Sequence, residues 1–344
     1  MRLSDFDYPL PDELIAQSPA EPRDSARLLV DRGADTPLHR QVRDLCEFLR
    51  PDDLLVVNDT RVIPARLRLS RGTGGAAEVL LLEPVDSDRR VWEAMVRPAR
   101  KLRVGEVLFS ASSGDPVVAI VGRTDAGDTM HVELQGEGEP LDVLTRHGEM
   151  PLPPYITSTS SEPERYQTVY ARQPSSSAAP TAGLHFTPQL LQQCSDRGVE
   201  RTELTLHVGP GTFRPVTAER LSDHVMHEEW CRLPESAVRA IRQKPPASRL
   251  VAVGTTSVRT LEAAAAATGN GFPVEWQGRT ALFIRPGYEF RAVGGLLTNF
   301  HLPGSTLLAL VAAFAGFDLV MDGYLRAIEK QYRFYSYGDA MLIL

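Results

Sequence analysis

ARLRLSRGTGGAAEVLLLEPVDSDRRVWEAMV, residues 65–96, is the stretch that decides the fold. Apolar and polar residues alternate from Ala65 to Ser70 and again from Ala77 to Glu83, with Gly72-Thr73-Gly74-Gly75 between them. That is the pattern of two half-buried strands joined by a tight turn. The same pattern returns at Val91–Arg97, Glu106–Ser110, Pro116–Arg123 and Thr129–Leu134, divided by Ser112-Ser113-Gly114-Asp115 and Asp125-Ala126-Gly127-Asp128. No long helical period interrupts these runs, so a small antiparallel barrel or sandwich is predicted, and a barrel is adopted. Outside them the character changes. Apolar runs at Leu54–Asn58, Glu200–Val208 and Leu250–Gly254 alternate with helical stretches such as Leu38–Leu49 and Pro188–Asp196, which is α/β alternation. Because both flanks share it, residues 63–147 read as an antiparallel β-barrel inserted into one larger α/β domain made of 1–62 and 148–344. Proline and serine crowd 151–180, the mark of an irregular connection.

A chain of 344 residues has ample length for two such domains. Cys46, Cys194 and Cys231 are too few and too scattered for a disulfide framework, which suits a reducing compartment. The first residues lack an apolar signal core, and the longest apolar run, Leu307–Phe317, is too short to cross a bilayer, so a cytoplasmic address is expected. Lys and Arg number 37 against 44 Asp and Glu, a net charge of -7, which argues against indiscriminate coating of nucleic acid. Local charge differs. Arg89, Arg90, Arg97, Arg100, Lys101 and Arg103 face only Glu93, and four arginines lie between Arg61 and Arg71 without an acid. Either stretch suits a phosphate backbone; either also describes a solvated strand face.

Five segments have chemistry in them. Thr181-Ala182-Gly183-Leu184-His185-Phe186-Thr187-Pro188 is a turn whose Thr187 suits a helix N-cap with Pro188 at the first helical position, which puts His185 just before the cap. A satisfied core histidine fits the same place. His207-Val208-Gly209-Pro210-Gly211-Thr212-Phe213 follows a strand with two glycines that bring backbone near a ligand or simply turn the chain. His224, His227 and Cys231 are permitted zinc ligands, but no second cluster supplies a fourth, and Glu228 and Glu229 suit acid–base work better; no metal is expected. Val253-Gly254-Thr255-Thr256-Ser257-Val258-Arg259-Thr260-Leu261-Glu262 runs from a strand through a small polar turn into a helix, an anion cradle or a plain capping turn. It lacks the lysine of a phosphate loop and the glycine spacing of a dinucleotide site. Leu297-Thr298-Asn299-Phe300-His301-Leu302-Pro303-Gly304-Ser305-Thr306 sets amide, imidazole and hydroxyl groups before an apolar helix, as a ligand pocket does.

Taken together these segments resemble one family nearly end to end, the S-adenosylmethionine:tRNA ribosyltransferase-isomerases of queuosine biosynthesis. The likeness is carried by FDYPLPDELIAQ from Phe6, NDTRVIPARL from Asn58, GEMPLPPYI from Gly148, AAPTAGLHFT from Ala178, HVGPGTF from His207, HEEW from His227, VGTTSVRTLE from Val253, LLTNFHLP from Leu296 and YRFYSYGDAMLI from Tyr332. Departures fall at Ala26, Ser175, Gly294 and Gly304, where the family often has serine, glycine, an acidic and a basic residue.

The resemblance implies a larger α/β domain with a small β-barrel. It also implies transfer and isomerisation of the ribosyl part of S-adenosylmethionine onto the 7-aminomethyl-7-deazaguanine base of tRNA, with adenine and methionine released. S-adenosylmethionine is then a cosubstrate, there is no prosthetic group, and the expected state is a monomer away from membranes. The sulfonium acidifies the neighbouring C5′ protons, so the reaction needs a base for one of them, an acid for adenine and an acceptor that keeps the amine neutral. The residues expected in those tasks are His185 and His301 at the ribose or adenine and Asp59 or Glu228 at the amine. Arg259 is expected on the methionine carboxylate, with Thr181, Gly183, Gly209, His227, Gly254, Thr255, Ser257 and Asn299 lining the site. Arg61, Arg97, Arg100, Lys101 and Arg103 are expected on tRNA. An S-adenosylmethionine-dependent RNA methyltransferase would need a glycine-rich loop after its first strand, absent here, and a non-enzymatic RNA-binding protein would leave the polar segments unexplained.

Overall fold

A computed structural model describes every residue except 34, 35, 126, 158–161, 210–217, 269 and 270. The chain opens with β1 (Arg27–Asp31), β2 (Leu38–Gln41), β3 (Leu54–Asn58) and β4 (Thr60–Val62). Next come β5 (Arg66–Arg71), β6 (Ala76–Pro84), β7 (Val91–Arg97), β8 (Val107–Ser110), β9 (Pro116–Arg123), β10 (Met130–Leu134), helix α1 (Pro140–His147) and β11 (Gly148–Glu149). After them lie β12 (Gln173–Ser176), α2 (Pro188–Asp196), β13 (Glu200–Leu206), β14 (Glu229–Leu233), α3 (Glu235–Arg242) and β15 (Leu250–Val253). The chain closes with α4 (Thr255–Ala266), β16 (Trp276–Thr280), β17 (Gly295–Asn299), α5 (Thr306–Ala315), α6 (Phe317–Glu329) and β18 (Ala340–Ile343).

Strands β5, β6, β7, β10, β9 and β8 pair antiparallel in that order, and β8 returns to β5 with Leu69 opposite Ser110, which closes a barrel. Alternate residues of each strand turn inward, as in β7, where Trp92, Ala94 and Val96 are buried and their neighbours are not. The apolar cluster inside runs from Ile63 to Leu144, and α1 contributes Val143 and Leu144 to it. The neck is tight. Gly148 pairs with Leu67, and a side chain there would run into the backbone oxygens of both Pro64 and Leu144, so the entering and leaving chains touch.

The larger sheet has the order β16-β14-β13-β3-β15-β17-β18-β1-β2. Its central strands β13, β3, β15 and β17 are parallel, and β3, β15 and β17 are buried along their whole length, as Leu- and Val-rich strands covered on both faces must be. One face packs α3 to α6, the other α2 and the turn Val42–Glu47. Gly316 bends α5 away from α6 by 115°, and among the described residues no single helix is long and apolar enough to cross a membrane. All four parallel strands end on one edge, where open α/β sheets bind ligands.

One expectation is corrected. Leu38–Leu49 is not a helix: Leu38–Gln41 adds β2 to the edge of β1, and only Val42–Glu47 coils, as a 3-10 turn burying Val42, Leu45 and Cys46. The unpaired edge of β1 offers hydrogen bonds that outweigh local propensity. Cys46 and Cys194 form a disulfide between that turn and α2 across 148 residues of sequence. Spacing along the chain carries no sign of it, and both sulfurs lie buried, away from soluble reductants.

Candidate active site

At the carboxyl edge of the parallel strands lies a cleft of about 660 Å³ including its mouth. Pro180, Thr181 and Ala182 form one wall, Gly254, Thr255 and Thr256 a second, and Thr298, Phe300, His301 and Leu302 a third, with Tyr155, Tyr335 and Ser336 closing the back. Gly254 sits at φ 90, a conformation that favours glycine, and so turns the end of β15 directly into α4. The first N–H groups of α4 therefore point into the cleft end with the helix dipole behind them. Thr256 Oγ1, on the cleft wall, is buried with no hydrogen-bond partner among the described residues.

His301 is the buried histidine of that wall. Thr298 Oγ1 holds its Nε2 at 2.8 Å, its backbone N–H donates to the Tyr324 hydroxyl at 3.0 Å, and Tyr8 donates to its carbonyl. Burial pushes its pKa down to about 3, so the ring is neutral. His185 stands behind the cleft rather than on it. Its Nε2 and the Asn299 Oδ1 are both buried with no partner within hydrogen-bond distance among the described residues, while Asn299 Nδ2 donates to Tyr335 O at 2.8 Å. Burial lowers His185 to about 4, against an opposing pull from Asp339 and Asn299. Thr187 caps α2 by accepting from Leu190 N.

The polar end of the sheet forms a second cluster, on the face turned to the barrel. Asp59 accepts from Thr205 Oγ1 at 2.7 Å and has Arg172 at 3.6 Å; burial nonetheless raises its proton affinity. His207 and Trp230 stack with ring centroids 4.5 Å apart, and burial lowers His207 to about 4, helped by Arg89 and Arg279. Arg279 bridges Glu228 of the larger domain at 3.0 Å to Glu83 of the barrel at 2.7 Å. Burial raises Glu83 despite that partner.

Several expected residues stand elsewhere. Arg259 is not free for a carboxylate of a ligand: its guanidinium pairs with Glu229 and donates to Thr280 O and Leu282 O, buried under the sheet. One helical turn on, Glu262 is fully buried and accepts from the backbone N–H groups of Arg291, Ala292 and Val293 and from the Tyr288 hydroxyl. Both charges of the helix thus hold the segment 280–293 instead of lining the cleft. Ser257 donates to Val253 O, and Gly183 has no room for a side chain against Tyr170 and Thr168, so both serve packing. His227 and Glu228 are exposed. Gly209 has open space around it, whereas Gly211, Thr212 and Phe213 lie outside the described residues. The zinc-compatible residues do not converge, and among the described residues no three His, Cys, Asp or Glu are placed to hold a metal ion.

The basic strip is divided. Arg89 and Arg90 sit at the domain junction, Arg89 donating to Pro174 O, whereas Arg97, Arg100, Lys101 and Arg103 lie at the other end of β7, roughly 20 Å away at the usual rise per residue. Arg61 is engaged by Glu164 at 3.0 Å. Ser305, in the segment expected to form a pocket, lines the cleft, as do Tyr155, Tyr335 and Ser336, for which the sequence suggests no role beyond the density of aromatic and small polar residues in Tyr335-Ser336-Tyr337-Gly338.

A family model described as queuosine biosynthesis protein matches residues 3–343. The chain is 56% identical over 348 residues to the S-adenosylmethionine:tRNA ribosyltransferase-isomerase of Symbiobacterium thermophilum and 50% identical over 348 residues to that of Moorella thermoacetica, with all of both chains covered in each case. It is also similar to the crystal structure of S-adenosylmethionine tRNA ribosyltransferase from Thermotoga maritima, with a TM-score of 0.56 and 39% identity over 99% of this chain and 100% of that one.

Proposed function

The chain belongs to the queuosine biosynthesis protein family, and on that premise we propose how it carries out transfer and isomerisation of the ribosyl moiety of S-adenosylmethionine onto tRNA. The acceptor is the 7-aminomethyl-7-deazaguanine base, and the enzyme works as a cytoplasmic monomer divided into 1–62 with 148–344 and the barrel 63–147. One observation carries the reading: three segments of the family likeness, Pro180–Ala182, Gly254–Thr256 and Thr298–Leu302, far apart in sequence, line a single cleft.

S-adenosylmethionine takes that cleft, its carboxylate at the N-terminus of α4 beside Thr255 and the unpartnered Thr256 hydroxyl, the task first given to Arg259. His301 meets the ribose. Burial keeps the ring neutral, so it has no imidazolium proton to give at neutral pH, and the same lowered proton affinity makes it a weak base; its role is that of a fixed hydrogen-bond partner of the ribose. His185 and Asn299 brace the wall from behind. The base of tRNA stacks at His207 and Trp230, with Glu228 and Asp59 near its amine; of these, Asp59 is the carboxyl whose burial favours holding a proton.

Incubation with precursor-bearing tRNA and S-adenosylmethionine, following adenine and methionine, is the test. A methyltransferase would yield S-adenosylhomocysteine without adenine, and a binding protein would yield neither. His301→Ala should lower kcat by roughly a hundredfold; an unchanged kcat removes it from the reaction.

A further inference from the structure

Arg2, Arg220 and Arg285 converge on a second hollow, of about 880 Å³ with its mouth, lined also by Leu221, Ser222 and Pro286 and by no acidic residue. Three segments distant in sequence are fixed to make it. Arg2 and Arg220 are opposed in an antiparallel bridge, Leu3 N donates to Glu219 O at 3.0 Å, and the Arg285 guanidinium lies 6.0 Å from the Phe283 ring, which itself meets His224 edge-on at 5.5 Å. Among the described residues none of the three guanidiniums makes an ion pair. Of the acids adjoining these segments, Asp5 accepts from Arg2 N and Asp223 from Ser222 Oγ, both at 2.7 Å.

The hollow lies against the cleft. Gly304 N donates to Phe6 O at 3.0 Å and Gly304 packs on Leu3, next to Arg2, while Leu302 and Ser305 of the same turn line the cleft. Three uncompensated planar forks beside a site that must admit one nucleotide are suited to phosphodiester oxygens, which arginine binds bidentately. We propose that this hollow binds the tRNA phosphates flanking the modified nucleotide. This rests on the reading of tRNA as substrate, and it assigns the contact to the larger domain rather than to the far end of the barrel.

The double variant Arg220→Gln/Arg285→Gln, titrated with tRNA at several salt concentrations, tests it. Each lost contact should reduce the log–log salt slope by about 0.7–0.9, so the slope should fall by roughly 1.5 and affinity near physiological salt by on the order of tenfold. The KM for S-adenosylmethionine should not move. The same loss should appear with a short stem-loop carrying the modified nucleotide; a loss confined to full-length tRNA overturns the flanking position. Slope and affinity equal to the parent's overturn the site itself. Should the double variant unfold, Arg285→Gln alone carries the same test, because among the described residues its side chain makes no hydrogen bond. A parent that releases no adenine sinks the reading of function instead, whatever the slopes.

Discussion

Glu262 gives the sharpest test of how the helix after the Gly254 turn is used. Its two carboxylate oxygens accept four hydrogen bonds, three from consecutive backbone N–H groups at Arg291–Val293 and one from Tyr288, in full burial. Glu262→Gln keeps the shape but turns one acceptor into an NH2 group facing two donors. Each orphaned buried donor costs about 1–3 kcal/mol, so the variant should lose roughly 2–6 kcal/mol. At about 2 °C per kcal/mol for a chain of this size, Tm should drop by roughly 4–12 °C, and the urea midpoint should shift with an unchanged slope. Limited proteolysis should cut first within 281–293, and the KM for S-adenosylmethionine should stay within a few fold of the parent's. A variant within about 1 kcal/mol of the parent would refute the idea that this carboxylate holds the segment.

Arg259→Met should likewise lower Tm by several degrees while changing the cosubstrate KM less than threefold; a large KM rise at unchanged Tm would restore the carboxylate clamp. Acid stability follows from His185 and His301, lowered by burial from 6.5 to about 4 and about 3. Between pH 6.5 and those values the unfolded chain binds protons that the native one refuses, so stability is complete above 6.5 and is lost as pH falls through the window, on the order of 3 kcal/mol or more for each ring. Urea midpoints that stay flat from pH 7.5 to 5 would contradict it. Neutralising Arg97, Arg100, Lys101 and Arg103 to Gln should leave both the tRNA salt slope and the cosubstrate affinity at the parent's values, as for a solvated end of the barrel, and a slope reduced by about 0.9 per residue would bring that end onto tRNA.

The barrel was legible because alternation along a strand is a local signal: Val91 to Arg97 announces its inward face residue by residue. The cleft was legible in part, since Gly254, Thr255, Thr181 and His301 stand in short stretches whose small polar density is visible in one dimension. What escaped was pairing across distance. Nothing near Arg259 in sequence announces Glu229, thirty residues earlier, and nothing near Arg97 shows that β7 sets it a strand's length from Arg89. The edge strand Leu38–Gln41 escaped for the same reason, because its partner β1 decides its conformation.

The narrow neck at Gly148 bears on the order in which the molecule assembles. Strands β3 and β13 pair although Asn58 and Glu200 are about 140 residues apart along the chain, a separation that slows non-local pairing. Once the barrel has closed on its own core, the entering and leaving chains are clasped together, and the loop to be closed shortens to about 55 residues. That saves only about 0.8 kcal/mol of closure entropy, but it turns a long search for a parallel partner into a short one. A bulkier residue at 148 would pry the clasp open, and its cost would fall on the rate at which the parallel sheet forms as well as on the stability of the barrel.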